Sequence, residues 1–118
     1  MLPKENRITK QKEFDTFFGK TFKENRGTNV SGRFLILKLF ENKSKQTRVG
    51  FLVNNKVDKR ATARNLIKRR LRQAVRLNLA NIKGNNDILF IAKPNIKTEE
   101  YNVIKDEVTK LFQRARVI

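Results

Sequence analysis

The 118-residue sequence contains no cysteine, no histidine and no tryptophan, only two prolines, and 11 acidic residues against 28 lysines and arginines. Without Cys or His there are no disulfides, no zinc sites built from those ligands, no thiolate nucleophile and no imidazole base. Long apolar runs are missing too. The longest, Phe34 to Leu37 and Ile88 to Ala92, fall far short of the roughly 20 residues of a membrane span. The opening Met-Leu-Pro-Lys-Glu lacks the apolar stretch of a signal peptide, so the expected location is the cytoplasm.

What the sequence has in excess is positive charge, +17 in total. Self-repulsion of that size opposes folding and points to a polyanionic partner that neutralises it. The chain is nevertheless built to fold, with 38% hydrophobic residues and nine phenylalanines, and its length predicts one domain over 1–118. The charge is also concentrated. No acid occurs between Lys59 and Asn86, where nine bases stand: Lys59, Arg60, Arg64, Lys68, Arg69, Arg70, Arg72, Arg76 and Lys83.

Apolar spacing and turn residues predict the elements. A first helix, capped by Thr9, runs to about Lys20 with Phe14, Phe17 and Phe18 on one face. The turn-rich stretch from Gly27 to Gly32 has room for a short strand. Phe34 to Phe40 and Val49 to Val53 read as strands joined in a hairpin through the polar segment Glu41 to Thr47. A long helix from about Thr62 to Asn81 ends at Gly84-Asn85-Asn86. Ile88 to Ala92 is a buried strand closed by Pro94. A last helix starts near Thr98 with Glu99 and Glu100 in its first turn, and Tyr101, Ile104, Val108, Leu111 and Phe112 along one stripe. The order implies an α+β fold, a two-layer sandwich of about four strands and three helices.

At 100° per residue the long helix is two-sided: Arg64, Asn65, Lys68, Arg69, Arg72 and Arg76 fall within roughly 140°, and Leu66, Ile67, Leu71, Ala74 and Leu77 lie opposite. Arg70 sits among the apolar positions and Val75 among the basic ones. Arginine predominates on the basic side, and a guanidinium fork binds phosphate bidentately. A merely solvated face would interleave acids for i, i+4 pairing, and this one has none. A membrane-surface helix would carry Trp or Phe on its apolar side. Nucleic acid is the better partner. The phenylalanines of the first helix have two readings: core, the ordinary meaning of an aromatic stripe, or a stacking platform for single-stranded RNA beside a positive groove. Phe17 is assigned to the core, and Phe14 and Phe18 stay open between the two.

The run Lys59-Arg60-Ala61-Thr62-Ala63-Arg64-Asn65-Leu66-Ile67-Lys68-Arg69-Arg70-Leu71-Arg72 resembles the signature helix of the bacterial ribonuclease P protein family. Leu2-Pro3-Lys4-Glu5-Asn6-Arg7-Ile8, Glu13-Phe14 with Phe17-Phe18, Arg48-Val49-Gly50-Phe51 and Ile91-Ala92-Lys93-Pro94 resemble its other motifs, in the same order. The resemblance implies a left-handed βαβ crossover around the basic helix, against the general right-handed rule, in the fold named for the second domain of ribosomal protein S5. It further implies an RNA-binding subunit that breaks no bond itself. In the family a catalytic RNA, using Mg²⁺, removes the 5′ leader of precursor tRNA, and the protein assists. Carried over residue by residue, Arg64, Asn65, Lys68, Arg69 and Arg72 would face the catalytic RNA, with Arg60 and Arg76 as extensions. Phe14, Phe18 and, on the neighbouring strand, Leu37 would line the leader cleft, with Lys56 and Lys93 on its phosphates. Three positions depart from the family pattern: Leu66 replaces a frequent basic residue, Leu37 an aromatic, and Asn54-Asn55 a basic residue ahead of Lys56.

Two other functions share the charge pattern. A structural RNA-binding protein, such as a small ribosomal protein, would show no preference for a leader. A protein-only Mg²⁺ nuclease would need clustered carboxylates, whereas Glu99-Glu100 and Asp106-Glu107 read as solvated helix charges. No protein ligand to a metal is assigned.

Overall fold

The computed structural model describes residues 6–43 and 46–118. Residues 2–5 of the opening motif and residues 44–45 of the expected hairpin connection lie outside them. The elements are α1 (Gln11–Asp15), α2 (Gly19–Glu24), β1 (Thr28–Ser31), β2 (Leu35–Glu41), β3 (Arg48–Leu52), α3 (Ala61–Leu79), β4 (Asn86–Ala92), a 3-10 turn (Pro94–Thr98) and α4 (Tyr101–Arg114). The fold is α+β.

The sheet order is β1-β2-β4-β3, with β4 antiparallel to β2 and parallel to β3. The predicted hairpin between β2 and β3 is therefore incorrect. β4 enters between them because it is apolar on both faces: Ile88, Phe90 and Ala92 alternate with Leu89 and Ile91, and only Ile91 is less than fully buried. Such a strand belongs in the middle of a sheet. β2 finds its hairpin partner in β1 instead, with Thr28 opposite Leu39 and Ser31 opposite Ile36. On its outer side β3 is covered by the N-terminal segment, whose Ile8 N–H donates to the Val49 carbonyl at 2.9 Å.

One face of the sheet carries the main core. Leu35, Leu37 and Leu39 of β2, Val49 and Phe51 of β3 and Ile88 and Phe90 of β4 meet Ile67, Leu71, Ala74 and Val75 of α3 and Ile104, Val108, Leu111 and Phe112 of α4. Phe90 is central, edge-on to Phe112 at 5.4 Å and stacked with Phe51 at 6.2 Å. The stripe expected on the last helix is the one that packs. That helix opens at Tyr101, however, with Glu100 as its N-cap, because Pro94 starts a separate 3-10 turn. Glu107 is no solvated charge either: it accepts the backbone N–H groups of Arg33 and Phe34, each at 2.8 Å, and so holds the β1–β2 turn.

The opposite face is covered only in part, by α1 and α2. These two replace the single predicted helix, which is why there are four helices and not three. Thr16 ends α1, Phe18 is extended (φ −127°, ψ 152°) and Gly19 has φ +65°, a conformation glycine adopts without strain. The break lets Phe17 and Phe18 part company. Phe17 turns fully into the sheet against Phe40 (5.2 Å) and Leu89, while Phe18 stays 42% exposed. The cap lies at Lys10, not Thr9, and the Glu13 carboxylate accepts the Lys10 N–H at 3.3 Å.

Candidate nucleic-acid interface

The cationic helix is two-sided as expected, with its core stripe turned slightly. Ile67, Leu71, Ala74, Val75 and Asn78 are buried, whereas Leu66 and Leu77, expected in the core, are 39% and 60% exposed. Val75 enters the core because, four residues beyond Leu71, it continues the same stripe. Asn78 is accommodated by donating to Thr109 on α4 at 3.1 Å.

The predicted RNA-facing residues fall into two groups. Lys68, Arg69, Arg72, Arg76 and Asn65 lie on one side of α3, and their side chains have no hydrogen bond or ion pair with another described residue. Free donors on an acid-free face are unspent charge. Arg60 and Arg64 are instead committed to the connection that leads into α3. The Arg60 guanidinium grips the buried Asp58 carboxylate through Nε at 3.2 Å and Nη2 at 3.1 Å, and Lys97 adds a contact at 3.3 Å. These Arg60 hydrogen bonds, from side chain and backbone N–H, hold the Asp58 carboxyl well below the usual carboxylate range. Arg64 Nη1 donates to the carbonyls of Asp58 (2.9 Å) and Lys59 (2.8 Å).

On the half-covered sheet face, the rows across the strands are Ser31–Ile36–Ile91–Leu52 and Asn29–Lys38–Leu89–Gly50. Phe14 lies on the second row. A β-carbon on Gly50 would come within 2.9 Å of its ring, so glycine lets the ring rest on the strand. Phe18 stands beside Lys38, whose ammonium is 4.7 Å from its ring centroid and 4.9 Å from that of Phe22. Leu37, expected in the cleft, is fully buried on the other face. The correction follows from the period of two along a strand: with Leu35 and Leu39 in the main core, Leu37 is there too, and its neighbours Ile36 and Lys38 face α1 and α2. Lys93 follows Ile91 on the cleft face and reaches Ser31 Oγ at 3.0 Å and the Gly32 carbonyl. Lys56 is exposed in the connection after β3, at the same end of the sheet, since β3 and β4 run parallel.

The aromatic and cationic surfaces meet. Arg7, Thr9 and Phe14 from the N-terminal segment and α1, with Lys68 and Arg72 from α3, line a hollow of about 250 Å³ at the β3 edge. The cationic side of α3 thus reaches Phe14. Sequence reasoning missed Lys38 and Arg48. The alternation of β2 would have placed Lys38 on the cleft face once Leu35 was in the core, but nothing local marks the partners of Arg48.

Among the described residues no three His, Cys, Asp or Glu side chains cluster to hold a metal ion. The buried carboxylates nearest the interface, Asp58 and Asp87, are already taken by arginines. These residues do not fit a protein-bound metal, and no step is assigned to one.

A model of the family described as Ribonuclease P matches residues 2–116, nearly the whole chain. The chain belongs to the ribonuclease P protein family. The ribonuclease P protein component of Clostridium botulinum (strain Langeland) is 34% identical over 115 residues, covering 97% of each chain. The ribonuclease P protein of Staphylococcus aureus superposes with a TM-score of 0.80 at 26% identity, over 95% of this chain and 96% of its own. The Thermotoga maritima protein, 23% identical with a TM-score of 0.76 over 92% and 96% of the chains, shares the fold. Membership of the ribonuclease P family makes this chain a tRNA-processing subunit. No helix among the described residues is long and apolar enough to cross a membrane.

Proposed function

We propose that this subunit binds the catalytic RNA of ribonuclease P through the unpaired cations of α3 and holds the 5′ leader of precursor tRNA on the half-covered sheet face. The carrying observation is that the two surfaces meet: Lys68, Arg69, Arg72 and Arg76 are unpaired on an acid-free helix, Lys68 and Arg72 share a hollow with Arg7 and Phe14, and Phe18, four residues after Phe14, is exposed. Arginine forks suit phosphates, and each base stacked on an aromatic ring is worth about 1–3 kcal/mol. Phe14 and Phe18 offer the rings, and Lys56 and Lys93 offer charge at the same end of the sheet. Arg60 and Arg64 present charge to the RNA while ordering the start of α3.

In this reading the chain supplies binding and neutralisation, and the Mg²⁺-dependent cleavage belongs to the RNA. The test is cleavage of a leader-bearing precursor tRNA at low Mg²⁺ by a bacterial ribonuclease P RNA, with and without the protein. Cleavage only with both together is the expected result. Cleavage by protein alone would overturn it. The Phe18→Ala variant is expected to lose about fivefold or more in affinity for leader-bearing tRNA and nothing for mature tRNA. Equal losses on both substrates would favour a general RNA-binding role.

A further inference from the structure

The aromatic platform of this cleft is weakly built by itself. α1 has five residues and α2 six, and neither contains a buried residue. Helices that short have little stability of their own. Phe17, between them, supplies an apolar anchor, but apolar contact is non-directional and does not fix how the pair sits on the sheet. Direction comes from two cations that rise from the strands beneath.

Arg48, on β3, is fixed to the sheet by a two-pronged grip on Asp87 at the start of β4, with Nε at 3.1 Å and Nη2 at 2.7 Å. Its remaining arm, Nη1, pairs with Glu13 Oε2. The other Glu13 oxygen accepts the Lys10 N–H, so this carboxylate both caps α1 and ties it to the sheet. Asp87, hydrogen-bonded to the Arg48 guanidinium, keeps that group firmly charged, and the Glu13 carboxyl, despite burial, is lowered by Arg48 and the Lys10 N–H. Lys38, on β2, does the same for the second helix. Its ammonium donates to the Phe17 carbonyl at 3.3 Å and lies between the rings of Phe18 and Phe22. Charge-assisted hydrogen bonds are directional where apolar packing is not.

We propose that Arg48, through Glu13, and Lys38 are positioning residues: they set where Phe14 and Phe18 stand over the sheet, and so set how strongly the subunit discriminates leader-bearing from mature tRNA. The inference rests on the leader reading above. It concerns residues on α1, β2 and β3, none of them an α3 cation.

The test uses the reconstituted holoenzyme with a bacterial ribonuclease P RNA and compares affinities for leader-bearing and mature tRNA. The variants are Glu13→Gln, which removes only the α1 end of the tie, Lys38→Gln, and Arg48→Lys, which keeps charge but loses the fork. Glu13→Gln and Lys38→Gln are each expected to reduce the leader preference by about fivefold or more, the lower end of the loss of one stacked base. Arg48→Lys should lose part of it. Affinity for the catalytic RNA should stay unchanged, and amide exchange over residues 11–24 should quicken while exchange in β4 does not. If Phe18→Ala lowers the leader preference and the three variants do not, positioning by these cations is wrong and the cleft stands. If Phe18→Ala leaves the preference intact, the cleft reading falls and this inference with it. Slower folding or a lower melting temperature with an intact leader preference would assign the ties to stability alone.

Discussion

Arg64 and Arg69 stand five residues apart on one helix and would be treated alike by any count of positive charge, yet their surroundings separate them. Arg69 touches no described polar partner, so Arg69→Ala should weaken binding to the catalytic RNA by about 1 kcal/mol or more, reduce the salt slope by about one, and leave thermal stability unchanged. Arg64 spends Nη1 on two carbonyls of the β3–α3 connection. Its alanine variant should lose RNA affinity and stability together, because those carbonyls lose a charged donor. RNA titrations at several salt concentrations, with thermal unfolding of the same proteins, check both. Identical unfolding curves for the two variants would contradict the structural duty of Arg64. Periodicity placed both residues on one face, but the carbonyl contacts depend on the path of the preceding loop, which no local pattern encodes.

At the scale of elements, the parts legible in the sequence were those decided within one element: the long helix, the stripe on α4, the buried run of β4. The hairpin between β2 and β3 failed because strand pairing is settled by which strand needs burial on both faces, and β4 lies more than 30 residues beyond β3 in the chain. The single first helix failed at Phe17-Phe18-Gly19, where a local aromatic stripe yielded to the fit of Phe17 against Phe40. Leu37 failed by one residue of register, enough to put a side chain on the wrong face. Two acids hold the connecting elements, Glu13 on α1 and Asp58 before α3, and both are lowered from their ordinary values of 4.5 and 3.8. A carboxyl lowered in the folded state stabilises above its unfolded pKa and stops doing so as pH falls through the folded value. With no histidine to titrate near neutrality, stability should be level from about pH 5 to 8 and drop below about pH 4. Glu13→Gln and Asp58→Asn should be less stable at neutral pH and show a shallower acid drop. Denaturant midpoints across pH decide it, and an unchanged acid slope in both variants would contradict the role of these ties.

Over the whole molecule, attraction and repulsion compete, and their magnitudes predict which prevails. Of the ion pairs between described residues, those of Arg60 and Lys97 with Asp58 have a well-exposed basic partner, and exposed pairs are worth about 0–1 kcal/mol each. Against them stands a net charge of +17 on a body 35 × 27 × 26 Å. Screening length is about 30 Å at 0.01 M salt and about 10 Å at 0.1 M, so at low salt every cation feels the others across the molecule and at moderate salt only its neighbours. Raising salt from about 0.01 to 0.15 M should therefore stabilise the free protein, since it screens the long-range repulsion while costing little in the short-range pairs. Binding to the catalytic RNA should weaken over the same range, because each phosphate neutralised by an α3 cation releases a counterion whose release is worth less in higher salt. The two slopes have opposite signs, and thermal unfolding of the free protein beside RNA titration in the same buffers measures both. A melting temperature that falls with added salt would mean that the ties through Arg48 and Asp58 outweigh the repulsion, and that the surplus charge is local to α3 and already tolerated by the fold.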